Sequence, residues 1–164
     1  FMPELFDSEF DQMKRIAGEL ASNLVERLSR DCQTTSDTET LTAQLQQFVR
    51  DYSFIQYVYV TDVKGHSTAI AISDPGDQKG YKAFPIGFDY SNREWFQQPM
   101  RTGKLHIMNV HQSQVTGQLI ITVSTVITDA NDEIIGVLGA DIQLEEIIRR
   151  AESLEAEEHI GEEE

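Results

Sequence analysis

The chain has 164 residues, 40% of them hydrophobic, which suffices for one domain with a real core and is short for two of usual size. Its 28 acidic residues outweigh 13 basic ones, and the formal charge of -15 excludes nucleic acid as a partner and argues against docking on an anionic membrane. A single cysteine, Cys32, excludes an intrachain disulfide and a cysteine-based zinc site, and no apolar run is long enough to span a bilayer.

The chain opens on Phe1 rather than Met, as expected of an excised or processed piece, and shows no signal-peptide pattern. Phe6, Phe10, Met13, Ala17, Leu20, Leu24 and Leu28 recur at steps of four and three. That spacing predicts a helix from Pro3 to Ser29 with one narrow apolar seam. Two readings of the seam stay open: a homodimer face, or a stripe whose second half covers a sheet. Residues 31–40 are polar and turn-rich, and Ser36 with Glu39 has capping-box spacing. The second helix predicted there buries Leu41, Leu45, Phe48 and Val49.

From residue 54 the period changes. Residues 54–62 are aromatic and β-branched and read as a strand, Lys64-Gly65 turns the chain, and Ser67 to Ile72 returns beside it. Residues 73–90 form a long loop with Pro75, Gly76, Gly80, Pro85 and Gly87. Its aromatics, Tyr81, Phe84, Phe88 and Tyr90, make it a lid or a pocket wall. A short helix over Asn92 to Thr102 ends at Gly103. Three strands follow, Lys104 to Val110, Gln118 to Thr128 and Glu133 to Asp141, with a hairpin turn at Asp129 to Asp132. A last helix carries Leu144, Ile147, Ile148, Ala151 and Leu154, and the glutamate-rich tail is solvated.

The division is thus a seam helix over residues 1–30, belonging to one domain that continues over 31–155, and an acidic tail over 156–164. The fold class is α+β. Five antiparallel strands form one sheet, with the N-terminal helix on one face and the loop and helix of residues 73–103 on the other. A ligand pocket between sheet and aromatic loop follows.

No catalytic signature holds: GxGxxG, Walker, GxSxG and HExxH patterns are all missing from the sequence. His106 and His111 are five apart, so a regular strand points them to opposite faces, against a joint metal site. No cofactor and no metal are expected. Two clusters stand out. In the first, Arg93 can hold a carboxylate through two parallel hydrogen bonds, and Trp95 adds an apolar wall with one N–H donor. The alternative is that Trp95 and Phe96 are core and Arg93 pairs with Glu94 or Asp89. In the second, Gly136 and Gly139 mark close backbone approach in an apolar strand that Asp141 ends. Asp141 shares the face of Val137 and Gly139, where it receives an ammonium or hydroxyl group; the alternative is that it caps the helix that follows.

Together the clusters resemble the Cache sensor domain of bacterial chemoreceptors, sensor histidine kinases and cyclic-di-GMP enzymes. The matching features are Arg93-x-Trp95-Phe96, Gly103, Val115-Thr116-Gly117-Gln118 leading into Ile121-Thr122-Val123-Ser124, Asp129 to Glu133, and Ile135-Gly136-Val137-Leu138-Gly139-Ala140-Asp141-Ile142. The resemblance covers nearly the whole chain and implies a single Cache domain with a PAS-like antiparallel sheet. It implies a sensory module for chemotaxis or two-component signalling that binds a small carboxylate or an amino acid and performs no catalysis. Arg93 and Trp95 match the carboxylate-holding pair, with Tyr90 and Tyr81 on the loop beside them. Asp141 matches the acid that meets the amino group in amino-acid-binding members. Those members carry Tyr and Asp five and three residues before the Thr-Gly pair, where this chain has His111 and Ser113. That substitution favours a short organic acid of the pyruvate or lactate kind. The resemblance further implies an output domain in the full-length protein and a periplasmic place in a membrane-anchored receptor; the acidic tail suits a soluble cytoplasmic protein instead.

Overall fold

A computed structural model describes residues 3–32, 37–74, 82, 85–108, 110–112, 117–150 and 152–153; the side chains of residues 3–10, 13 and 14 are not among those described. Helix α1 spans Pro3–Cys32, one turn beyond the predicted end. The seam residues Phe6, Phe10 and Met13 therefore lie outside the described side chains. Ala17, Leu24 and Leu28 of the seam are buried and Leu20 is half-buried, with Ala21, Val25 and Cys32 buried beside them. This second half of the seam covers the sheet, and burial pushes the Cys32 thiol up to about 12. Helix α2 spans Thr38–Asp51. Its cap is Asp37, whose carboxylate accepts from the Thr40 amide; Ser36 of the expected capping box lies outside the described residues. Leu41, Leu45, Phe48 and Val49 are its buried stripe, as predicted.

The strands are β1 (Ile55–Thr61), β2 (Ser67–Ile72), β3 (His106–Ile107), β4 (His111–Gln112), β5 (Leu119–Thr128) and β6 (Ile134–Gln143). Helix α3, Glu94–Thr102, starts two residues later than predicted and ends at Gly103. A C-terminal helix begins at residue 144. The sheet is antiparallel, in the order β2-β1-β6-β5-β3, with β4 also on β5.

The expected third strand, Lys104 to Val110, is replaced by two short ones, β3 within those bounds and β4 just beyond them. His106 faces Ser124 and Ile107 faces Val123, but His111 faces Ile120 and Gln112 faces Leu119. Four residue steps on the edge thus match three on β5, which is a bulge. The extra residue restores parity, so His106 and His111 lie on the same face of the sheet, not on opposite faces as a regular strand would place them.

Alternation sorts the residues into two cores. Val58, Val60, Ala69, Ala71, Ile121, Val123, Leu138, Ala140 and Ile142 pack under α1 and α2. Tyr57, Tyr59, Ile70, Ile72 and Val137 face the other way, against Tyr90, Trp95 and Phe96. The small residues Ala69, Ala71 and Ala140 let the helices approach the first face closely. The second face, under α3, holds the polar groups.

Candidate ligand-binding site

Strand register lays out the second face in rows. Tyr57, Asp141 and Thr122 form one row; Tyr59, Gly139, Ser124 and His106 form the next; Thr61, Val137 and Val126 form a third. Asp141 is interior to β6, which continues to Gln143, so it does not cap the following helix. Its two oxygens accept from two hydroxyls: Thr122 Oγ1 donates at 2.7 Å and Tyr59 Oη at 3.2 Å. The Thr122 proton being directed to Asp141, its oxygen accepts from His111 Nε2 at 3.4 Å. The result is a directed chain from imidazole through hydroxyl to carboxylate. Burial raises the Asp141 carboxyl above the usual carboxylate range, opposed by the Thr122 and Tyr59 hydroxyls and by His111. The Tyr59 phenol is pushed up, first by burial and then by the charge of Asp141.

An aromatic wall stands beside this chain. The Trp95 ring stacks on Tyr59 with centroids 5.8 Å apart and meets Tyr90 at 5.0 Å. Phe88 extends the wall, 4.9 Å from Tyr90. The wall is positioned by backbone bonds to the β1–β2 turn: the Tyr90 amide donates to Gly65 O at 2.8 Å and the Ser67 amide to Phe88 O at 2.9 Å.

Arg93 is the N-cap residue of α3, exposed, with no side-chain capping bond. Its neighbour Glu94 is taken by His106, with Nε2 and Oε2 2.9 Å apart. The Tyr90 phenol is raised mainly by burial and next by Asp141, and lowered by Arg93. Tyr90 is therefore within electrostatic reach of both charges.

Among the expected site residues, Asp141 and His111 join in one hydrogen-bonded chain, Trp95 and Tyr90 wall it, and Arg93 stands at the rim. Trp95 and Phe96 are also core, as the alternative had it. Ser113 and Tyr81 lie outside the described residues. Tyr59, Thr122 and Ser124 were not singled out as site residues from the sequence. Their signal is period-two polarity inside apolar runs, Tyr57-x-Tyr59 and Thr122-x-Ser124. Among the described residues no group of three His, Cys, Asp or Glu side chains is placed to hold a metal ion. A cavity of about 690 Å³ lies elsewhere, between α1 and the β3–β4 edge; among the described residues, none of the expected site residues lines it.

Comparison with known proteins gives a consistent family. The family model described as methyl-accepting chemotaxis protein-like, first PDC sensor domain, matches residues 38–149. The chain is 37% identical over 153 residues to a citrate (Re)-synthase of Syntrophus aciditrophicus, covering 93% of this chain and 24% of that protein. It thus spans about a quarter of the length of that curated relative. The ligand-binding domain of the Campylobacter jejuni chemoreceptor Tlp3, in complex with L-valine, superposes with a TM-score of 0.62 at 16% identity, over 89% of this chain and 64% of that one. The ligand-binding domain of the Pseudomonas aeruginosa amino acid chemoreceptor PctC, in complex with GABA, gives 0.60 at 23% identity, over 85% and 64%.

Proposed function

The chain belongs to the methyl-accepting chemotaxis protein-like PDC sensor domains, and from that premise we propose that the α3 face takes a small carboxylic acid bearing an amine or hydroxyl group. The domain is a ligand-binding sensory module of the Cache type. One observation carries the choice of ligand: the Asp141 carboxylate, held by Thr122 and Tyr59, lies on the sheet face that α3 covers, and Arg93 stands at the N-cap of that helix. Arg93 meets the carboxylate of the ligand at the rim. Asp141, already accepting from Thr122 and Tyr59, accepts from the amine or hydroxyl. Trp95 and Tyr90 supply the apolar wall, His111 a donor, and Ser113 and Tyr81 complete the contact set.

The domain itself binds and does not catalyse. In the full protein an output domain reads its change of shape, the sensor lies outside the cytoplasmic membrane, and the N-terminal half of α1 pairs with a second copy. The 37% identity to part of a citrate (Re)-synthase favours a second reading of the output: the same sensor joined to an enzyme.

Calorimetric titration with pyruvate, lactate, acetate, L-valine and γ-aminobutyrate tests the reading, on the parent, Arg93→Ala and Arg93→Lys. A hydrogen bond to a charged group is worth about 1.5–3 kcal/mol, and Arg93→Ala should lose about that much binding. Its melting temperature should hold, because Arg93 is exposed and caps nothing through its side chain. Arg93→Lys should recover part, since lysine lacks the fork of two parallel donors. Equal binding by Arg93→Ala would remove Arg93 from the site and the carboxylate from the reading.

A further inference from the structure

Beneath Trp95 the sheet carries Gly139 and Ser124 side by side, partners in the β5–β6 register. A Cβ placed on Gly139 would come within 2.8 Å of Trp95 Cε3 and 3.0 Å of Cζ3. The indole therefore lies directly on backbone, and glycine is what makes the room. Ser124 is fully buried, and its Oγ has no hydrogen-bond partner among the described residues. That oxygen also exposes almost no surface, so no water-sized space adjoins it. Buried hydroxyls are nearly always bonded, and one that is not calls for an explanation.

The neighbours of Ser124 supply none. Gly139 has no side chain to offer, and His106, on the other side of the row, places its Nε2 on Glu94. The element packed over this part of β5 and β6 is α3, the helix that carries Trp95.

We propose that Gly139 and Ser124 form an inner compartment of the ligand pocket, covered by Trp95, in which Gly139 seats the indole and Ser124 Oγ bonds the ligand once the indole lifts. This rests on the reading that the α3 face binds a small carboxylic acid. Ser124 follows Thr122 by two residues, about 6–7 Å along the strand. A molecule of roughly three to five carbons held at Asp141 reaches it with a second polar group.

Trp95 is the one tryptophan of the chain, so its emission reports on this place alone. Gly139→Ala should shift that emission to the red and at least double its quenching by acrylamide, with far-UV circular dichroism unchanged. Unchanged emission and quenching overturn the seat. Ser124→Ala removes a hydroxyl that has no partner, so its melting temperature should equal or exceed that of the parent; a clear fall means the hydroxyl is already bonded and overturns the compartment. Should Gly139→Ala not fold, Ser124→Ala and the following titrations decide. Pyruvate, lactate, L-valine and γ-aminobutyrate are each added to the parent and to Ser124→Ala. A probe that binds should red-shift Trp95 in the parent and bind Ser124→Ala about ten-fold more weakly. Binding with unmoved emission and equal affinity overturns the ligand contact. A parent that binds none of the four overturns the functional reading, and the ligand contact with it; Gly139→Ala emission still decides the seat.

Discussion

Asp141 holds the most consequential side chain of the chain, and its identity could be picked out from the strand pattern while its partners could not. Period-two counting puts it on the face of Gly139 and Val137. That Tyr59 and Thr122 both donate to it depends on the β1–β6 and β5–β6 registers, which set residues from three strands beside one another. Its raised pKa makes a pH prediction. A carboxyl whose folded pKa lies above its unfolded value stabilises the fold fully below the unfolded pKa, and that contribution is lost as pH rises through the folded pKa. Asp141→Asn has no such proton to lose. The gap in melting temperature between Asp141→Asn and the parent should therefore widen, in favour of the variant, from about pH 4 to about pH 7. A gap that is constant or narrows over that range would mean the carboxylate is better stabilised in the fold than in water. In binding, a plain monocarboxylate such as acetate should bind Asp141→Asn at least as well as the parent, because a repelling charge is gone.

The edge of the sheet behaves differently from its centre. The central strands β1, β5 and β6 carry continuous or alternating apolar runs, and they and β2 on the far edge fall within two residues of their predicted bounds. The edge segment, by contrast, holds few core residues, so hydrophobic period gives no warning of a bulge. One inserted residue then turns His106 and His111 to one face and brings His111 to Thr122. Close packing at the centre is testable at Gly136. A Cβ there would collide with the Thr61 carbonyl oxygen, a backbone atom that cannot rotate away. A register irregularity lies beside it in the β5–β6 ladder, at Ile127/Thr128. Gly136→Ala should cost about 2–3 kcal/mol, in the upper range of overpacking. Urea unfolding should show a lower midpoint at an unchanged slope; a variant as stable as the parent would mean that β1 and β6 can part without loss.

Across the whole molecule the charge of -15 sets the background. Repulsion among exposed carboxylates opposes compaction, and its range falls from about 30 Å at 0.01 M salt to about 8 Å at 0.15 M. Sodium chloride raised from about 0.01 to 0.15 M should lift the melting temperature by a few degrees, while Arg93→Glu, which removes a local cation, should make the rise larger. A falling melting temperature would show that ion pairs outweigh the net repulsion. The α+β class, the order of elements, the apolar stripe of α2 and the family follow from the sequence alone. Hydrophobic period and turn chemistry are local consequences of backbone geometry, and composition is additive. The pairing of Asp141 with Thr122 and Tyr59, the return of both histidines to one face, the exposure of Arg93 and the seat of Trp95 on Gly139 were decided only in three dimensions. Each depends on which residues of distant strands lie opposite one another, and a shift of one residue in register reverses the answer without changing any local pattern.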